Sequence, residues 1–358
     1  MAPLPSRTAT ATTTATTATR TAAGTGFHVI DGTVAAEMIA ADPDAVVELV
    51  RDTYLQHDAG ATINPNSYFL RFPDRPSARI IALPAHLGGP APVSGLKWIA
   101  SYPSNIEHNL QRASAVLILN DAQTGYPFAC LEASQISAAR TAASAALAVE
   151  TLAPSDVPRR VLFVGAGVIG RTVSDFLAAR GLAVREAAVY DHVGAYADKF
   201  AGYLGERHGW SASVAEDVDE AVAAAELVVL ATTAPAPWLN QEQTLRPDQL
   251  ILNLSLRDVH PSVMVRCRNI LDDVEHCMTA GTSPQLTELE YGHRDFLDGT
   301  LADVLNGVVK PDPTRTTIFS PFGLGVLDLA LGAHIHRTAV EQGRATAIPG
   351  FFPELARW

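Results

Sequence analysis

The sequence predicts an α/β protein of two parts, in which a doubly wound parallel sheet is inserted into an α+β domain. Three observations carry this. Strands and helices alternate from Val161 to Leu254, a glycine-rich turn joins the first strand of that run to its first helix, and hairpin-like strands precede it while an apolar helix follows. The 358 residues, 47% of them hydrophobic, are enough to bury a core in each part. The implied boundaries are a tail over 1–26, a first domain over 27–152 completed by 320–358, and the inserted domain over 153–319.

Taken in order, the Ala/Thr-rich start with no acidic residue offers too little apolar surface to offset the entropy of ordering. It reads as a disordered tail, although an acid-poor Thr/Ala segment also resembles an organellar transit peptide. Asp42-Pro43 opens a helix with a cap and a first-turn proline, and Val46, Val47, Leu49, Val50 and Tyr54 share one face of it. Strands are expected at Arg79–Leu83, Val93–Ile99, Ala113–Asn120 and Pro127–Leu131, the last two flanking the hairpin connection Asp121 to Tyr126. That predicts an antiparallel module. An Ala-rich helix from Ser134 to Leu152 leads to Pro154 and Pro158. Beyond it the expected order is strand Val161–Val164, helix Val168–Ala179, strand Glu186–Tyr190, helix Ala195–Gly205 and strands Leu227–Ala231 and Leu250–Leu254. The helix Gly325–Val340 comes after this sheet and is expected to return to the first module.

Composition narrows the function. A formal net charge of -12, more negative still without Arg7 and Arg20 of the tail, repels phosphate backbones and argues against nucleic acid as partner. No apolar run approaches the roughly 18 residues of a membrane-spanning helix. Three cysteines at irregular spacing suit a reducing compartment, with the cytoplasm as the expected location. Lysine occurs only at Lys97, Lys199 and Lys310, so a lysine within a motif is informative.

The most specific local signal is Val161-Leu-Phe-Val-Gly165-Ala-Gly167-Val168-Ile169-Gly170. Gly165 allows the tight turn, Gly167 lets the backbone approach a pyrophosphate, and Gly170 lets helix and strand pack closely. Val168 and Ile169 form the helix start, whose free N–H groups face the phosphates. Asp191 follows the second strand, where an acid can bind the adenosine ribose hydroxyls. With His192, Val193 and Gly194 next, no cation awaits a 2'-phosphate, so the cofactor expected is NAD rather than NADP. Thr232 and Thr233 end a later strand, where such sheets bind ligands and where a turn role is equally open.

Gly95-Leu-Lys97-Trp-Ile, the hairpin Asn120 to Pro127 and Ser137-Ala-Ala-Arg140-Thr141 together resemble the ornithine cyclodeaminase/mu-crystallin family, over about residues 65–340. Tyr68-Phe-Leu-Arg71-Phe-Pro-Asp, Arg79-Ile-Ile-Ala-Leu-Pro84 and Ser320-Pro-Phe-Gly-Leu-Gly325 are most similar to its 2,3-diaminopropionate-forming branch, from siderophore and antibiotic pathways. The resemblance implies a Rossmann sheet inserted into a substrate-binding and dimerisation domain, a homodimer, and oxidation of N-(2-amino-2-carboxyethyl)-glutamate. It places substrate-carboxylate ligands at Arg71, Lys97 and Arg140, cofactor contacts at Thr141 and Ser320, and the catalytic aspartate at Asp258.

These residues suit that chemistry. Arginine grips a carboxylate with a two-pronged fork, and lysine offers a compact charge. Asp258 can take a proton as hydride leaves; Lys97, if desolvated, is the next candidate base. The alternatives are a salt bridge for Arg140, a solvated surface for Lys97 and Arg71, and a helix cap for Asp258. Where cyclodeaminases carry a glutamate, this chain has Ile81, which favours a dehydrogenase over ring closure. The competing readings are an ornithine-cyclodeaminase-like enzyme, a simple amino-acid dehydrogenase, or a non-catalytic ligand-binding protein. No metal is expected: Asp272-Asp273-Val-Glu275-His276-Cys277 reads as a helix start, and His334 and His336 point to different sides of their helix.

Overall fold

The computed structural model describes residues 26–153, 159–182 and 184–353. The expected tail, up to residue 25, and Pro154 and Pro158 lie outside them. The chain opens with β1 (Phe27–Ile30), α1 (Gly32–Ala41) and α2 (Pro43–Asp58). Asp31 and Asp42 cap the two helices, accepting from Val34 N and Ala45 N at 2.9 Å each. Short β2 (Thr62–Ile63) and β3 (Tyr68–Phe72) then lead into β4 (Arg75–Leu87), β5 (Val93–Ser101), β6 (Ala113–Asp121), β7 (Pro127–Glu132) and α3 (Ser134–Leu152).

Along β4 to β7 the side chains alternate, so one face carries Leu83, Lys97, Leu117 and Leu131 inward and the other carries Trp98 and Val116 outward. The expectation of an antiparallel module needs one correction. β2 to β7 pair antiparallel, but β1 lies parallel to β7, with β16 (Thr346–Ile348) antiparallel on its other side. Both ends of the described chain thus meet at one edge. Parallel pairing requires a long connection, which α1, α2 and the intervening strands supply.

All strands of the second sheet fall between β7 and β16 in sequence. They are β8 (Arg160–Val164), β9 (Glu186–Tyr190), β10 (Ser211–Val214), β11 (Leu227–Leu230), β12 (Leu250–Asn253), β13 (Arg268–Leu271), β14 (Leu297–Thr300) and β15 (Thr317–Ser320). Every pairing is parallel, in the order β10-β9-β8-β11-β12-β15-β13-β14, and the order reverses between β8 and β11. β8, β11 and β12 are buried on both faces, which is why they read as unbroken apolar runs. The helices are α4 (Val168–Ala179), α5 (Gly194–His208), α6 (Val218–Ala224), α7 (Pro261–Met264), α8 (Val274–Cys277), α9 (Ser283–Tyr291) and α10 (Leu301–Leu305).

After β15 the chain returns through α11 (Gly325–Glu341), which lies on the inner face of the first sheet. A side chain at Gly332 would place its Cβ 2.1 Å from Leu117 Cδ2, so backbone packs directly on the sheet. Among the described residues no helix is long and apolar enough to cross a membrane.

Candidate active site

The glycine turn lies where the sheet order reverses. Gly165 has φ +99°, and a Cβ there would meet Ala231 O at 2.6 Å, so both conformation and space demand glycine. Gly170 would press Gly165 O at 3.0 Å and the Phe200 ring at 3.2 Å, which keeps α4 against the sheet. Gly167 is different. It caps α4 with φ -81°, and a Cβ there would meet no protein atom within 4 Å. No side chain caps the helix, so the N–H groups at Val168 and Ile169 remain available to an anion. Asp191 accepts from Ala166 N at 2.8 Å and Val193 N at 2.9 Å, which fixes its carboxylate beside the turn. These residues fit a dinucleotide: an open pyrophosphate cradle, an uncapped helix start, and an oriented ribose acid.

Lys97 and Arg140 come together from β5 and α3 on one residue that the sequence reading missed, Asp328 of α11. Lys97 Nζ donates to Asp328 Oδ2 at 2.6 Å and to Ser137 Oγ at 3.2 Å, while Arg140 Nε lies 3.3 Å from Asp328 Oδ1. Asp328 is wholly buried and Lys97 1% exposed, which excludes the solvated-surface role for Lys97. The salt bridge named as an alternative for Arg140 is present. It leaves two cations against one anion. Burial pushes the Lys97 ammonium down to about 8, with Asp328 opposing and Arg140 adding to the fall. Gly323, at φ +98°, fits over the guanidinium so closely that a Cβ would lie 2.4 Å from Arg140 Nη1. One signal pointed to Asp328: a single acid inside the apolar run Gly325-Val-Leu-Asp-Leu-Ala-Leu.

Arg71 is not part of that group. It is exposed on β3, its guanidinium 4.9 Å from the Phe69 ring centroid, and its cross-strand partner is Arg79. Ile81 lies on the Lys97 face, two residues from Leu83, which pairs with Lys97.

Asp258 follows β12 and is wholly buried. Thr232 Oγ1 lies 2.7 and 2.8 Å from its two oxygens. Burial raises its carboxyl above the ordinary range, against hydrogen bonds from Thr232, Ser255 and Trp238. It is not a helix cap. His260 caps α7, accepting from Ser262 N at 3.2 Å. Thr232 also takes the turn role, accepting from Ala234 N at 3.0 Å, while Thr233 is exposed. Ser320 Oγ accepts from Asn253 Nδ2 at 3.0 Å, and Thr141 Oγ1 bonds back to Ser137 O at 2.8 Å. Asp273 caps α8 through His276 N at 2.8 Å, the helix start read from its sequence.

A model of the ornithine cyclodeaminase/mu-crystallin family matches residues 33–343. The N-((2S)-2-amino-2-carboxyethyl)-L-glutamate dehydrogenase of Staphylococcus aureus (strain NCTC 8325 / PS 47) is 30% identical over 276 residues, 75% of this chain and 82% of that protein. Among solved structures, the Δ1-pyrroline-2-carboxylate reductase of Thermococcus litoralis, in complex with NADH and L-proline, superimposes with a TM-score of 0.82 at 23% identity, over 90% of this chain and 100% of that one. An archaeal alanine dehydrogenase dimer with bound NAD gives 0.81 at 23% identity, over 91% and 100%.

Proposed function

The chain belongs to the ornithine cyclodeaminase/mu-crystallin family, and on that premise we propose that it oxidises N-(2-amino-2-carboxyethyl)-L-glutamate to 2-oxoglutarate and 2,3-diaminopropionate, as a homodimer serving siderophore or antibiotic synthesis. It is an NAD-dependent dehydrogenase of amino-acid-like substrates. One position carries the choice of dehydrogenation over ring closure. Ile81 shares the Lys97 face, so the acid that a cyclodeaminase needs there is replaced by an alkyl side chain. The named activity of the Staphylococcus aureus relative supports the substrate.

NAD, held by Gly165, Gly167, Val168, Ile169, Gly170 and Asp191, supplies the hydride acceptor. Thr141, Thr232, Thr233 and Ser320 are proposed to complete its contacts. Lys97 and Arg140 bind a substrate carboxylate with the positive charge that Asp328 leaves unbalanced, and Arg71, outside that pair, is proposed to meet the substrate from the rim. As the α-hydrogen of the glutamate unit leaves as hydride, the amine proton passes to Asp258. The raised proton affinity of that buried carboxyl suits this role. Water then adds to the substrate C=N bond, and cleavage of the C–N bond releases the two products. Asp191, next to His192 rather than a cation, disfavours a 2'-phosphate.

A substrate panel tests the reading. With NAD present, kcat/KM for the glutamate conjugate should exceed that for ornithine, proline and alanine by at least about 100-fold, or roughly 2.7 kcal/mol. Preference for ornithine with proline as product points instead to the cyclodeaminase reading.

A further inference from the structure

A second group of cations lies on the same face of the first sheet as Lys97. Arg71 and Arg79 are cross-strand partners, Arg79 stands opposite Ser101, and Arg112 Nη1 donates to Ser101 Oγ at 2.8 Å. Arg257 approaches from the loop after β12, immediately before Asp258, and is tethered by Nη2 to Ala280 O at 3.0 Å. Elsewhere Arg140, Arg180, Arg294 and Arg315 each hold a carboxylate. Among the described residues, Arg71, Arg79, Arg112 and Arg257 hold none.

The arrangement is costly as it stands. Arg79 Nε is buried with no hydrogen-bond partner among the described residues. Burial, and then the charges of Arg112, Arg257 and Arg71, hold the Arg79 guanidinium below its usual range. Buried donors and like charges are kept together where an anion joins them. Arg79 is four residues from Leu83, the cross-strand partner of Lys97, so the two cation groups stand roughly 13 Å apart along the strand. Lysine and arginine side chains are long enough for the two groups to meet a molecule with carboxylates at its two ends.

We propose that Arg79, Arg112 and Arg257, with Arg71 at the rim, form a second carboxylate subsite, which receives the distal carboxylate of the substrate while Lys97 and Arg140 hold the other end. The identity of that substrate rests on the reading above; the subsite itself requires only a ligand with two or more carboxylates. It selects dicarboxylic over monocarboxylic keto-acid halves.

Binding of 2-oxoglutarate and of 2-oxopentanoate, which lacks the distal carboxylate, to the enzyme–NADH complex tests this by NADH fluorescence. The wild type should favour the diacid by at least about 30-fold. Arg79→Gln and Arg112→Gln should each reduce that ratio to about threefold or less, and Arg79→Lys should give an intermediate value. If Arg79→Gln does not fold, Arg112→Gln decides. A wild type without preference, or a ratio unchanged in a folded, NADH-binding glutamine variant, overturns the subsite. Parallel assay of the conjugate separates the two ideas. Oxidation of the conjugate with an unchanged ratio removes the subsite alone. Collapse of the ratio in an enzyme that does not oxidise the conjugate upholds the subsite and refutes the substrate.

Discussion

Lys97, Arg140 and Asp328 show how single residues divide the work, because one buried carboxylate orients two cations without neutralising them both. With Lys97 pushed down to about 8, its protonated, carboxylate-binding form dominates below that pH and is lost above it. KM should therefore rise as pH increases through about 8. Asp328 is the influence that raises Lys97, so Asp328→Asn should move this limb to lower pH. That variant should also cost about 3 kcal/mol of stability, since it leaves buried cations unpaired. A pH profile of KM and a denaturant titration check both; a limb that stays in place would mean that Lys97 does not bind the substrate. Asp258→Asn keeps the shape but cannot accept the proton, so kcat should fall by about 100-fold or more with NAD affinity intact. Near-normal turnover would remove Asp258 from the reaction. At this scale the sequence made Lys97 and Arg140 legible through rarity and motif. Asp328 stood out only as a lone acid in an apolar run, and Arg79 and Arg112 were not legible, because their meaning depends on which elements fold against one another.

At the scale of elements, the glycine turn separates what the fold needs from what the ligand needs. Gly165→Ala should destabilise the protein by about 1–3 kcal/mol, through its left-handed backbone and the contact with Ala231 O. Gly167→Ala meets no protein atom. It should leave the melting temperature nearly unchanged while weakening NAD binding by at least about tenfold. Calorimetry with a fluorescence titration distinguishes them; equal loss of stability in both would refute the assignment of Gly167 to the pyrophosphate. α3, α4 and β9 were legible to the residue, since turn residues and apolar periods mark them. β4 runs from Arg75 to Leu87, well beyond the expected Arg79–Leu83, because Pro76 and Pro84 interrupt the alternation without ending the strand. α1, β1 to β3, β10, β13 to β16 and the short helices were missed. Most are segments of two to five residues, which carry too little period to be read, and pairing with a distant strand decides them.

For the whole molecule, the inserted parallel sheet was legible from alternation, whereas the closure of the first sheet by β1 and β16 joins segments more than 300 residues apart and leaves no local signal. The outer face of that sheet exposes cross-strand neighbours Trp98 and Val116, each 40% exposed, with Leu70 on β3 and Val29 on β1 farther along the same sheet. Such a face suits a two-fold interface. Light scattering should give about twice the chain mass, and Trp98→Asp should shift it toward monomer; a wild type that stays monomeric at micromolar concentration would contradict the dimer. The two candidate activities differ in the fate of the hydride. A cyclodeaminase returns its hydride each turnover, whereas the dehydrogenase proposed here does not. The decisive measurement is the stoichiometry of NADH, 2-oxoglutarate and 2,3-diaminopropionate formed from the glutamate conjugate, by absorbance and mass spectrometry. The three should accumulate in equal amounts until substrate is exhausted; turnover without net NADH, or without 2-oxoglutarate, would contradict it.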